Sequence, residues 1–146
     1  MTFGLDLLAF APHPDDAEIF CGGLLIKMAQ QSYRVGIVDL TQGEMGSNGD
    51  VPTRAREAAQ AAEVMGLVYR QNLRLPDGRL SLQPLHPNSH LPPEQRPVPE
   101  EEGALERLIR CIRTAQPAFV LAPWKEARHP DHQVTHELVR QAVFFA

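Results

Sequence analysis

The sequence is poor in cysteine, with only Cys21 and Cys111 among its 146 residues. The two lie too far apart to resemble the closely spaced cysteine pairs of zinc sites, and two cysteines cannot form a disulfide framework. We expect both to remain free thiols. A metal site built from cysteines is therefore not expected.

Long apolar runs and an excess of basic residues are also missing. No segment approaches the roughly 20 consecutive apolar residues that a membrane helix needs. The N-terminus lacks the charged-then-apolar order of a signal peptide, so we expect a cytoplasmic protein without a membrane contact. The net charge is −4 with 14 Lys and Arg residues. This balance does not favour a nucleic-acid partner.

The sequence does contain enough apolar residues, 43%, to form the core of one domain spanning 1–146. Apolar strand-like runs alternate along it with helix-like segments. The predicted strands are 5–11, 35–40, 68–73 and 118–123, and the predicted helices are 16–30, 52–65, 101–114 and 132–146. This alternation predicts an α/β fold in which helices cover both faces of a mostly parallel sheet. Residues 81–100 contain six prolines, which predicts a surface insertion.

Two of the predicted strands lead into similar polar motifs. The first strand is followed by His13-Pro14-Asp15-Asp16, and the strand at 118–123 is followed by His129-Pro130-Asp131-His132. Either motif alone could simply begin a helix, because Pro and Asp favour the first helical turn. If the two strands are neighbours at the point where the strand order reverses, both motifs meet at one edge of the sheet. The pair therefore predicts one composite site.

The residue types at this edge favour metal-assisted hydrolysis. Two histidines and one carboxylate leave metal positions open for water and substrate, and His13, Asp16 and His132 fit this set best. Asp15 would then be free to accept a proton from a water acidified by a metal such as Zn²⁺. His129 would face the substrate from the other side, where an imidazolium can stabilise an oxyanion or protonate a leaving amine.

Three segments resemble known motifs when they are taken together: Ala11–Glu18, Asp39–Ser47 and Arg128–His132. They resemble the motifs of the PIG-L/LmbE-like zinc N-deacetylases. Together with 54–58 and 72–78, the middle segment is most similar to the deacetylases of bacillithiol biosynthesis. The resemblance implies a Rossmann-like three-layer fold and removal of an acetyl group from an N-acetylglucosaminide, with N-acetylglucosaminyl malate as the expected substrate.

The resemblance also implies a role for each polar residue of these motifs. It implies that His13, Asp16 and His132 hold Zn²⁺, or another divalent metal such as Fe²⁺. Asp15 would be the general base and His129 the group that stabilises the transition state, oriented by Asp131. The residues expected to bind the substrate are Arg54, Asp77, Glu44 and Ser47.

Other functions compete with this one. The same ligand set could hold Fe(II) in an oxygenase, although that chemistry is expected in an all-β barrel. A second alternative is a domain that binds a metal or an amino sugar without turnover. Members of the family are longer than this chain, which ends in an apolar stretch, so the resemblance leads us to expect a domain incomplete at its C-terminus. Uncovered apolar surface would favour homo-oligomers.

Overall fold

The computed structural model describes residues 3–82 and 103–146, which alternate between strands and helices. The predicted insertion at 81–100 lies almost entirely outside these residues, and so do His86 and His90 within it. The elements in chain order are β1 (Leu7–Ala11), α1 (Asp16–Gln30), β2 (Val35–Thr41), α2 (Val51–Met65), β3 (Tyr69–Leu75), α3 (Ala104–Ala115), β4 (Phe119–Leu121) and α4 (Pro130–Phe145).

The described strands form one parallel sheet in the order β3-β2-β1-β4. Strand β1 lies between β2 and β4, with Leu7 opposite Val35 on one side and Phe119 on the other. The chain therefore builds the sheet outward from β1 in one direction and then returns to its other side. This reversal is the predicted switch point, and it brings the ends of β1 and β4 together.

Every residue of β1 is buried, because helices cover both faces of the sheet. Leu8 and Phe10 pack in a cluster with Leu108 of α3 and Leu138 of α4. The alternate residues Leu7, Ala9 and Ala11 pack on the opposite face with Leu25 of α1 and Met65 of α2. The α/β three-layer fold expected from the alternation is confirmed. Within the described ranges, no helix is long and apolar enough to span a membrane.

The bounds of several elements differ from the prediction at their ends. Strand β4 stops at Leu121 rather than 123 because it pairs only with Leu7 to Ala9 of β1. Helix α4 begins at Pro130, two residues earlier than predicted, because the His129 side chain accepts a hydrogen bond from the Asp131 amide and caps the helix. Such a histidine cap is not among the usual sequence signals for a helix start.

Candidate metal centre and active site

The turn after β1 holds His13 and Asp16 against each other. Oδ2 of Asp16 accepts a hydrogen bond from the His13 amide at 3.0 Å, and it lies 3.0 Å from Nδ1 of the same histidine. The first residue of α1 therefore reaches back over the turn. The spacing of three residues closes a compact unit that presents an imidazole and a carboxylate on the same side.

Helix α4 brings a second imidazole to this unit. Nε2 of His132 lies 3.2 Å from Oδ2 of Asp16, and ligand atoms of His13, Asp16 and His132 all lie within 4.8 Å of one another. All three side chains are partly buried. The set of two nitrogen donors and one oxygen donor fits Zn²⁺ and leaves coordination positions for other groups. The three predicted ligands thus come together from the two predicted strand ends.

The far side of the His13 ring contacts two carboxylates. Its Nε2 atom lies 3.0 Å from Oδ2 of Asp131 and 3.0 Å from Oδ1 of Asp77. Asp131 is 2% exposed, and its Oδ2 also accepts a hydrogen bond from the Gly78 amide. Carboxylates placed in this way orient a ligating histidine and fix which ring nitrogen is free for the metal. Both residues therefore support His13.

These contacts differ from the roles expected for Asp131 and Asp77. Asp131 contacts His129 through its backbone amide, at 3.1 Å from Nδ1, while its carboxylate bonds to His13. Asp77 is buried, and its second oxygen accepts a hydrogen bond from the Met45 amide, so its carboxylate is engaged within the protein. The expectation that Asp77 binds the substrate stays a prediction, and in the structure its carboxylate contacts His13 and Met45. The turn folds inward towards His13, which spacing along the chain could not indicate.

His129 stands beside the predicted ligands without contacting their donor atoms through a hydrogen bond. Its ring centroid lies 4.9 Å from that of His13 and 5.4 Å from that of His132. Because Nδ1 accepts the Asp131 amide, that nitrogen is unprotonated and Nε2 is the one available for donation. An exposed imidazole with a fixed tautomer beside the cluster suits a group that donates a hydrogen bond from Nε2 to a negatively charged oxygen of the substrate.

Asp15 has an unusual backbone conformation for its position at the start of α1. Its φ of 112° lies in the left-handed region, which costs roughly 1–3 kcal/mol for a residue with a side chain. Its carboxylate does not cap the helix and is 59% exposed beside the cluster. Strain of this kind often marks a functional site. The turn therefore directs the carboxylate towards solvent and away from the helix amides.

The charges of the cluster and its burial shift the pKa values of its residues. Burial alone would lower the pKa of His13, but its bonds to Asp16 and Asp131 raise this pKa to about 9. The pKa of Asp16 is lowered, since its bond to His13 and the charge of His132 outweigh the effect of burial. Burial lowers the pKa of His132. A metal ion can replace the proton that His13 otherwise shares with Asp16, because metal ligands must give up their protons.

Burial and the neighbouring charge of Asp16 raise the pKa of Asp15. The direction suits a general base, since a more basic carboxylate accepts a proton more readily at neutral pH. The charge of Arg54 acts in the opposite sense. The pKa of Asp15 thus reflects charged neighbours of both signs.

A cavity of about 600 Å³ opens beside Asp15. Ser47 and Arg54, two of the residues expected to bind substrate, line it together with Glu57. Glu44 does not line it, because its Oε1 atom accepts a hydrogen bond from the Asp77 amide at 2.9 Å. The loop at 42–50 is thereby tied to the turn that supports His13. Glu44 joins two loops rather than facing the cavity.

The sequence analysis did not predict a network of ion pairs that joins β2, β3 and α1 near the site. The Arg70 guanidinium of β3 bonds to both carboxylate oxygens of Asp39 at 2.9 and 3.1 Å and to Glu18 at 2.6 Å. It also donates to the Ala58 carbonyl. One arginine thus connects two strands with α1 and α2. One signal in the sequence could have indicated it. Arg70 and Asp39 both lie within predicted strands, where a buried charged side chain needs a partner of opposite charge.

A family model described as "PIG-L: GlcNAc-PI de-N-acetylase" matches residues 8–143 of the chain. The match includes both polar motifs and the strands of the described sheet, apart from Leu7 at the start of β1. Most of the sequence therefore agrees with one family pattern.

Individual relatives agree with this match. A probable N-acetyl-alpha-D-glucosaminyl L-malate deacetylase 2 of Bacillus anthracis is 29% identical over 140 residues, which are 94% of this chain and 58% of the relative. The diacetylchitobiose deacetylase of Thermococcus kodakarensis is 31% identical over 96% of this chain and 49% of its own length. The chain thus spans about half the length of the curated relatives it matches.

Among solved structures, the conserved protein TT1542 of Thermus thermophilus superposes with a TM-score of 0.77 and 40% identity. The alignment covers 96% of this chain and 56% of that one. The sheet, the helices and their order are therefore those of a known fold.

Proposed function

Because the chain belongs to the PIG-L family, we propose that it is a metal-dependent hydrolase that removes the acetyl group from an N-acetylglucosaminide. The observation that carries the proposal is the convergence of three metal-ligand atoms within 4.8 Å at the ends of β1 and β4. Asp15 and His129 flank this cluster without belonging to it. A hydrolytic site needs both parts, a metal-binding set and separate groups that move protons.

We assign the metal-binding role to His13, Asp16 and His132. Zn²⁺, or another divalent ion such as Fe²⁺, would act there as a Lewis acid: it would polarise the amide carbonyl and lower the pKa of the attacking water. The carboxylates of Asp131 and Asp77 hold His13 from behind at 3.0 Å. They keep its Nδ1 facing Asp16, from where it would hold the metal.

Asp15 and His129 act on the reacting groups from beside the metal-ligand set. Asp15 accepts a proton from the water while the oxygen of that water attacks the carbonyl carbon of the acetyl group. His129 donates a hydrogen bond from Nε2 to the oxyanion and keeps its proton, because its Nδ1 already accepts the Asp131 amide. Asp15 then passes the proton that it took from the water to the sugar nitrogen as the C–N bond breaks. The products are acetate and the free amine.

The substrate we propose is N-acetylglucosaminyl malate, as in bacillithiol biosynthesis. The relative from Bacillus anthracis carries that substrate in its name, while the relative from Thermococcus kodakarensis acts on diacetylchitobiose. Ser47 and Arg54 line the cavity beside Asp15. A guanidinium there can bond a carboxylate or hydroxyl oxygen of the malate. Glu44 and Asp77 would act indirectly, by holding the loop and the turn that border the cavity.

The test is acetate release from N-acetylglucosaminyl malate and from free N-acetylglucosamine, with the protein loaded with Zn²⁺. The proposal expects hydrolysis of both, with a higher kcat/KM for the malate compound. Equal kcat/KM values would remove the case for malate recognition while leaving the deacetylase. Binding of the metal without acetate release from either compound would instead favour the domain that binds without turnover.

A further inference from the structure

The strained turn at Asp15 is held by contacts from outside its own helix. Asp15 has φ 112° and ψ −28°, and its side chain does not cap α1. Nothing in the first turn of α1 therefore fixes the direction of its carboxylate. A residue in this conformation persists only where its surroundings hold it.

Arg54 of α2 supplies that support. Its Nη2 donates to the Pro14 carbonyl at 2.8 Å and to Oδ2 of Asp15 at 3.3 Å. The Arg54 side chain is only 14% exposed, in contrast to the Asp15 carboxylate. The strong contact is to the backbone of the turn, and the weaker one is to the carboxylate itself. The same nitrogen thus holds both the peptide group before Asp15 and the carboxylate of Asp15 itself.

Two glycines of the loop after β2 make room for this guanidinium. A Cβ at Gly46 would lie 2.5 Å from Nη1 of Arg54, and a Cβ at Gly43 would lie 2.7 Å from its Cζ. Gly43 has a positive φ, which by itself accounts for a glycine, but Gly46 does not. At Gly46 the missing side chain is therefore explained by space for Arg54.

We propose that Arg54 is a positioning residue that holds the Asp15 carboxylate in place, and that Gly46 is required because it seats Arg54. The proposal rests on the proposed function of Asp15 as the base. Arg54 would then act on the reaction by holding Asp15, in addition to any contact that it makes with the malate part of a substrate. It also connects the loop that borders the cavity to the base of the reaction.

The substitution that tests this is Gly46→Ala. The added methyl would lie 2.5 Å from the far end of the flexible Arg54 side chain and 3.1 Å from the Gly43 carbonyl oxygen. The closer contact is the one with Arg54, so the guanidinium moves furthest, while the backbone conformation at position 46 stays accessible to alanine. Gly23→Ala is the matched control, because a Cβ at Gly23 has nothing within 4 Å. Arg54→Lys is the second variant, since an ammonium lacks the planar fork of a guanidinium. Each variant is assayed for Zn²⁺ content and for kcat and KM with both N-acetylglucosaminides.

The proposal expects Gly46→Ala to lower kcat by about 10²-fold with both compounds, because a shift of about 1 Å in a reacting group has an effect of that size. Zn²⁺ content and the KM for free N-acetylglucosamine stay near those of the Gly23→Ala control, while the KM for the malate compound rises because the displaced Arg54 no longer contacts the malate. In an Asp15→Asn background, Gly46→Ala has no further effect on kcat, because the residue it acts through is already disabled. Arg54→Lys follows the same pattern to a smaller extent.

Several results would overturn the proposal. A raised KM for the malate compound alone, with kcat unchanged, makes Arg54 a substrate anchor only. If Gly46→Ala has normal kinetics while Asp15→Asn has impaired turnover, Arg54 does not position Asp15. The proposed function is unaffected by that result. Full turnover by Asp15→Asn removes both.

A structure of the Gly46→Ala variant gives a readout that does not depend on turnover. The proposal expects Nη2 of Arg54 to have left the Pro14 carbonyl and the Asp15 carboxylate to have moved with it. A displaced Arg54 beside an unchanged Asp15 would contradict the proposal even if the protein had no activity.

Discussion

Nε2 of His13 lies 3.0 Å from Oδ2 of Asp131, although 118 residues separate the two along the chain. The contact joins the turn after β1 to the first turn of α4. Because Nε2 faces a carboxylate, Nδ1 is the nitrogen left to face Asp16 and the metal-ligand cluster. The two motifs are therefore coupled by a supporting hydrogen bond as well as by their shared metal-ligand set.

This contact predicts that Asp131→Asn weakens metal binding. The variant keeps the shape of the side chain but loses the charge that orients His13, and loss of such a partner typically reduces metal affinity by about 10- to 100-fold. Competition with a chromophoric zinc chelator measures the affinity. Glu137→Gln is the control, since Glu137 lies on the same helix but contacts Arg140 and Gln141. Equal affinity of the Asp131→Asn variant and the control would show that His13 does not depend on this carboxylate.

Asp15→Asn is expected to lower turnover by about 10² to 10⁴ while the protein keeps its metal, because an amide cannot accept the proton. His129→Ala is expected to behave in the same way, since its Nε2 is placed to donate. The measurements are steady-state acetate release and metal content of the purified variants. Normal turnover by Asp15→Asn would assign the base to another group.

Arg70→Met is expected to destabilise the fold by about 3–5 kcal/mol, because it leaves the carboxylate of Asp39 buried without its partner. Asp39 is 2% exposed, and Arg70 provides both of its side-chain hydrogen bonds. Urea unfolding gives the free energy directly. Arg140→Met serves as control because that arginine is exposed and pairs only at the surface. A loss as small as that of the control would mean that the network contributes little.

The pH dependence of stability carries a separate prediction from Asp39. Burial raises its pKa to about 6, against the opposing effect of Arg70, and the charges of Glu18 and Asp16 act in the same direction as burial. The folded state therefore binds this proton more tightly than the unfolded state, in which the pKa is near 3.8. The contribution of Asp39 to stability is full below about pH 3.8 and is lost as the pH rises through 6.

Asp39→Asn should remove that loss. In chelator-treated protein, the free energy of unfolding of the wild type should fall between about pH 4 and 6 relative to the variant by a few kcal/mol, on the order of 3. Urea unfolding across this range provides the comparison, in which the other titrating groups largely cancel. Parallel curves for the two proteins would show that the carboxylate has the same pKa in both states.

The sequence indicated much of the fold and the metal-ligand set because both follow from local patterns and one general rule. Apolar runs mark the strands, and the ends of parallel strands meet at one edge of the sheet. The placement of His13 and His132 at this edge follows from the same rule, since each lies in the polar motif that comes after a predicted strand. The neighbouring position of β1 and β4 was a condition of that argument, and the order of the described strands meets it.

The contacts behind the cluster were not predictable in the same way. Asp131 faces His13 rather than presenting its carboxylate to His129, and the Asp77 carboxylate turns inward, because the turn at 76–79 folds against the start of α4. Arg54 reaches the Pro14 carbonyl across 40 residues. Such contacts depend on how helices and loops settle on the sheet, and no residue spacing encodes them.

Acetate release from N-acetylglucosaminyl malate, before and after removal of metal, tests the central claim most directly. Dialysis against a chelator should abolish the release, and Zn²⁺ or another divalent ion should restore it. The same ion should fail to restore it in His132→Ala, which lacks one of the three ligands. Full acetate release by protein with no detectable metal would contradict the assignment of His13, Asp16 and His132 as a catalytic metal site.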